Sequence, residues 1–87
     1  MPLNFPNESR SFDATRRAVR FWGYDSAIEW SFYMTEDALR HVNPGVSAEE
    51  CDLLRAFDAN RDAIYAAAKK VHRRGRRGSY DILAADF

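Results

Sequence analysis

Six of the thirteen lysines and arginines fall within nine residues, at Lys69, Lys70, Arg73, Arg74, Arg76 and Arg77. A cluster of that density can neutralise the phosphates of RNA or DNA, or hold an acidic protein, and its chemistry is electrostatic rather than catalytic. Helix electrostatics also account for it, because cations at a helix C-terminus complement the macrodipole. A phosphate-cradling loop stands at a helix N-terminus, and this run ends one. A second set interleaves aromatics with arginine: Arg20, Trp22 and Tyr24 alternate along one stretch, and Tyr33 follows in the next. A sheet face of that kind can stack bases or bury itself in a homodimer. No RNP-type motif accompanies it, which weights self-association above nucleic acid.

Asn60 and Arg61 form the third set. Asn60 falls on an apolar helical stripe, where a buried amide needs hydrogen-bond partners. The plainer reading ties it to a neighbouring loop or strand backbone as a structural polar group; the sharper one makes it a ligand contact paired with Arg61. Two histidines, His41 and His72, with one cysteine make no metal-spaced set. Cys51 has no histidine or other base beside it in sequence and reads as a structural thiol. Asp58 and Asp62 share one helix face, assigned to solvent. The serines lack the glycines of a nucleophile elbow, and no glycine-rich loop opens a helix. No catalytic residue, cofactor or metal site is assigned.

Composition bounds the rest. The whole chain of 87 residues makes one domain, with hydrophobic residues at 46%, enough for an ordered core. Thirteen basic side chains balance thirteen acidic ones, which removes any whole-protein attraction to nucleic acid but leaves a local patch. A single cysteine precludes an internal disulfide and fits a reducing compartment. No apolar run reaches the ~20 residues that cross a bilayer. The start, MPLNFPNESR, lacks a basic segment followed by an apolar one. A cytoplasmic location with no membrane partner is expected.

The elements that must position these residues follow from periodicity. Residues 1–8 carry two of the three prolines and read as extended or poorly ordered, with Phe5 as one anchor. Strands are expected over 9–13, 18–24 and 27–35. In the last, Ile28, Trp30, Phe32 and Met34 alternate with Glu29, Ser31 and Tyr33. A turn at Asp25-Ser26 would pair Phe21 with Trp30, Val19 with Phe32, Trp22 with Glu29 and Arg20 with Ser31. A loop at 14–17 sets Phe12 against Val19. Thr35 caps a short helix over 36–42, stopped by Asn43-Pro44-Gly45. Leu53, Phe57, Ile64, Ala67 and Val71 then recur at helical spacing, which predicts one long amphipathic helix over 47–74. It opens with a Ser47/Glu50 capping box, places Gly75 at its C-terminal cap, and has a weak point near Asp58-Ala59-Asn60. A last strand over 79–84 turns Tyr80, Ile82 and Ala84 inward. The result is β-β-β-α-α-β, a two-layer α+β domain with a mostly antiparallel sheet, strand order open.

The segments NFPNESRSFDATRRAVRFWGYD, TEDALRHV, FDANRDAIYAAA and GRRGSYDILAADF resemble those of a family of small bacterial proteins, domain-of-unknown-function family 1488. The resemblance spans residues 3–87 and implies a compact α+β fold. It carries no activity, cofactor or catalytic residue. The favoured reading is a non-catalytic cytoplasmic interaction or assembly module that self-associates through the outer sheet face or an edge. The alternative is a nucleic-acid-binding accessory protein that uses residues 69–77.

Overall fold

A computed structural model describes residues 3–6, 8–25, 28–73 and 79–87. Strands β1 (Arg10–Asp13), β2 (Ala18–Asp25), β3 (Ile28–Thr35) and β4 (Ser79–Ile82) lie side by side in that order. The first three form an antiparallel meander, and β4 joins β3 in parallel. A parallel neighbour needs a long crossover. Here it runs through α1 (Glu36–Val42), α2 (Glu50–Ala59) and α3 (Arg61–Arg73). The fold is α+β with a mixed, mostly antiparallel sheet. Every buried side chain that the structure describes in α1, α2 and α3 joins one cluster with Val19, Phe21, Phe32, Met34, Tyr80 and Ile82, so these helices cover one face of the sheet. Among the described residues no helix is long and apolar enough to cross a membrane.

The expected single helix is two. At Asn60 the backbone leaves helical geometry, and its amide donates to Phe57 O instead of continuing the α-helical pattern. The Asn60 side chain bonds back to Ala56 O at 2.8 Å, which caps α2 from within. Asn and Asp offer the backbone such local alternatives, and this one divides the stripe without moving it off the sheet. The start also differs. Glu49, not Ser47, is the N-cap, and the Ser47 hydroxyl accepts from Glu49 N and donates to Asp52 Oδ2 rather than joining a box with Glu50.

Pairing of β1 with β2 follows expectation, with Phe12 opposite Val19. Between β2 and β3 the register is shifted by two: Phe21 faces Phe32, Val19 faces Met34, Arg20 faces Tyr33, Trp22 faces Ser31 and Tyr24 faces Glu29. Strand side chains alternate with period two, so this shift leaves each one on its expected side. It brings the Phe21 and Phe32 rings to 5.3 Å and sets Gly23 beside Trp30. Ile28, expected inside, is exposed at the end of β3. The last strand is shorter than expected; Ala84–Asp86 form a 3-10 helix, so Ala84 is no strand residue.

Two connections are pinned by side chains. Thr35 accepts from Ala38 N, which caps α1, and donates to Ile82 O, which ties that cap to β4. Arg17 closes the β1–β2 turn at φ 52°, a conformation most side chains avoid. Its guanidinium meets Glu36 and Ala48 O and lies over Phe12, contacts that hold the turn against α1 and the approach to α2. The N-terminal segment has two anchors rather than one. Leu3 is in the core, Phe5 packs against it, and Asn4 exchanges backbone hydrogen bonds with Tyr24 at 2.8 Å each way.

Candidate functional site

Strand alternation puts Arg20, Trp22, Tyr24 and Tyr33 on the face opposite the helices, as expected. The register arranges this outer face in rows across the strands. One row reads Ser11, Arg20, Tyr33, Asp81; the next reads Trp22, Ser31, Ser79; the third pairs Tyr24 with Glu29. Arg16, from the β1–β2 turn, lies 4.1 Å over the Tyr33 ring and reaches Asp81 at 3.6 Å. Arg20 lies 5.0 Å from the Trp22 ring and 5.8 Å from that of Tyr33, and donates to Ser31 Oγ. Tyr33 is therefore buried beneath two guanidinium groups rather than open to solvent, whereas Arg20, Trp22 and Tyr24 are half-buried. The Tyr24 hydroxyl donates to Glu29 at 2.6 Å. The Nε of Arg20 is withdrawn from solvent and has no hydrogen-bond partner. Leu3 and Phe5 pack with the inner core, so neither covers Trp22.

The basic run is only partly described. Lys69, Lys70 and Arg73 are exposed on α3, in the helical layer across the sheet from Trp22. Arg74, Arg76 and Arg77, with the expected Gly75 cap, lie outside the described residues. His72, within the same run, turns inward, edge-on to Trp30 at 5.3 Å and to Tyr80 at 5.6 Å.

The Asn60 and Arg61 side chains are both engaged within the fold. The Asn60 amide is used on its own helix, not on a neighbouring loop or strand. Arg61 donates to Asp58 and Glu8 O, both at 2.8 Å, and to the Tyr65 hydroxyl. Asp58, expected to be solvated, also accepts two bonds from Arg10, at 3.1 and 2.9 Å. The Arg10 hydrogen bond, opposed by burial and reinforced by Arg61, holds the Asp58 carboxyl below its ordinary value. This Arg10–Asp58–Arg61 bridge between β1 and the helix junction joins residues 48 apart in sequence, and no local spacing could announce it.

The Cys51 thiol is exposed, packed in no core. Among the described residues, no group of three His, Cys, Asp or Glu side chains could hold a metal. The concavity of about 470 Å³ beside residues 43–47 is lined in part by Asp52 and Arg55, which pair with each other.

A sequence model described as protein of unknown function (DUF1488) matches residues 3–83. The chain belongs to the DUF1488 family. The fold agrees with that of a crystal structure titled as a protein of unknown function from the same family, from Shewanella loihica PV-4. That likeness has a TM-score of 0.82 at 18% identity and covers 93% of this chain and 91% of the other. A search of curated proteins gives no match. The relationship accounts for the fold of this DUF1488 chain; the outer face is read from its own residues.

Proposed function

We propose that this chain is a non-catalytic interaction module that self-associates by covering the outer face of its sheet. The observation that carries the reading is Trp22. It stands in the middle row of a face on which, among the described residues, no helix packs, beside an arginine whose Nε is dry and unpartnered. Solvent leaves a half-buried indole at a cost, and a second protein surface relieves it. Tyr, Trp and Arg are also the side chains that anchor protein interfaces. A bacterial cytoplasmic setting suits the single, exposed cysteine. Sedimentation equilibrium from micromolar to millimolar concentration tests the reading. Wild type should show a concentration-dependent dimer that Trp22→Ala removes; a strictly monomeric wild type overturns it.

A second reading, nucleic-acid binding, is supported by one observation. Ser79, two residues after Arg77 in sequence, stands in the same row as Trp22, so β4 enters the sheet at the aromatic row. Anisotropy of labelled single- and double-stranded RNA and DNA at low and near-physiological salt separates the two readings. Salt-sensitive micromolar binding, abolished by substitution of Arg73, Arg74, Arg76 and Arg77, would favour nucleic acid, with a slope of about −0.7 per phosphate contact on single strands. No binding at low salt removes it.

A further inference from the structure

The charge pattern of the outer face selects one way for two copies to meet. One end carries a net positive charge, where Arg20 and Arg16 bracket Tyr33 and Asp81 pairs with Arg16 at 3.6 Å, and Glu29 occupies the other, four residues back along β3. Four residues of strand span about 13 Å, longer than a Debye length at physiological salt. The two ends therefore act as separate charges.

Closed dimers are isologous, so whatever faces a residue on one copy must be faced by it on the other. For two sheets packed face to face, the two-fold axis lies in the plane between them and runs either along the strands or across them. An axis along the strands, between β2 and β3, lays Arg20 on Tyr33 of the second copy and so stacks the cationic end of one copy on that of the other. Glu29 then meets Tyr24, which already donates to a Glu29 of its own. Arg16 and Arg20 are then crowded together across the axis at one end and Glu29 meets no cation at the other, an arrangement that costs affinity.

An axis across the strands, along the row of Trp22, Ser31 and Ser79, does the reverse. It exchanges the row of Arg20 and Tyr33 with the row of Tyr24 and Glu29. Arg16, seated on Tyr33, then faces Glu29 of the second copy. Arg20 faces the Tyr24 ring, and Trp22 sits on the axis against itself. Opposite charges meet at both ends, and the aromatic row is covered in the middle.

We infer that the partner of the outer face is a second copy of this chain, docked about a two-fold axis along the Trp22 row, with the pairing of Arg16 to Glu29 between copies as its specificity determinant. The inference rests on the self-association reading and adds orientation and register to it. Both residues are surface side chains at the rim, where charge chooses the partner and fixes register.

A charge swap tests it by sedimentation equilibrium on the full chain. Arg16→Glu and Glu29→Arg alone should each weaken self-association by about tenfold, because each sets two like-charged pairs across the axis. Mixed in equal amounts, they should form a heterodimer within about threefold of wild-type affinity, since both cross-axis pairs are then opposite in sign. Circular dichroism should show each variant folded, as both positions lie outside the core. If wild type dimerises and the mixture is no tighter than either variant alone, the orientation is wrong while the self-association reading stands. If wild type stays monomeric, both fall.

Discussion

Phe5 lies flat on Tyr65, with the ring planes 2° apart and the centroids 4.1 Å apart. Through this stack the N-terminal segment, tied to β2 by the bridge at Asn4, is joined to α3 and helps close the core. Offset aromatic pairs add to what area burial alone contributes. Phe5→Ala should destabilise the domain by about 2–3 kcal/mol, below the full cost for a completely buried ring because Phe5 is partly exposed. Urea unfolding measures it, and a change below 0.5 kcal/mol (~0.5, within extrapolation error) would mean that the segment contributes nothing to stability.

Gly23 makes room for that ring. A Cβ at this position would lie 2.8 Å from Phe5 Cε1, 3.1 Å from Phe32 and 3.2 Å from Leu3. Gly23→Ala should cost about 1–3 kcal/mol by overpacking. In a Phe5→Ala background the worst of the clash is gone, so the same substitution should cost at least about 1 kcal/mol less. Strict additivity in the double-mutant cycle would place the strain elsewhere.

Asp58 should make stability depend on acid pH. Its folded pKa is depressed, chiefly by the Arg10 hydrogen bond, so its contribution is fully present above the ordinary carboxylate pKa and is lost as pH falls through the lower folded value. Asp58→Asn should cost about 1 kcal/mol at pH 7, the upper range for a partly exposed pair, because Arg10 holds the carboxylate at both oxygens. The gap between wild type and variant should begin to narrow below about pH 4 and go on narrowing as pH falls further. A gap that does not narrow as pH falls below the ordinary carboxylate range would show that the carboxylate charge is not what Arg10 and Arg61 use.

Phe21 and Trp22 are neighbours in β2 on opposite faces, and their substitutions should separate folding from association. Phe21→Ala opens the core and should cost about 3–5 kcal/mol. Trp22→Ala removes a half-buried ring and its contact with Arg20, which should cost about 1 kcal/mol. Equal losses in thermal or urea unfolding would make Trp22 a core residue and withdraw the outer face as an interaction surface.

Much of this chain is legible in its sequence because the signals are local. Alternation through residues 18–35 assigns each side chain to a face, and that assignment survives a register shift of two because parity is all it depends on. The Thr35 cap and the stop at Asn43-Pro44-Gly45 are equally local, and Gly45 does take a positive φ, of 89°. The aromatic set was likewise visible as a pattern, since Arg20, Trp22 and Tyr24 needed only to be two apart.

What tertiary structure decided is whatever depends on residues meeting across the chain. The weak point expected near Asp58-Ala59-Asn60 is itself a local signal, and the break there is made by the local bond from Asn60 to Ala56 O. Helix-face spacing made Asp58 a solvated acid; the return of β1 past the helix junction brought Arg10 to it, beside the nearby Arg61. Pattern alone left Tyr33 exposed, and the turn that carries Arg16 buried it. The parallel pairing of β4 with β3 and the rows it completes likewise had no local sign. Sequence spacing encodes which face a residue takes, because backbone geometry is periodic. Which residue it faces is set by the competition of non-local contacts, and that is resolved only when the sheet and its helices close on one another.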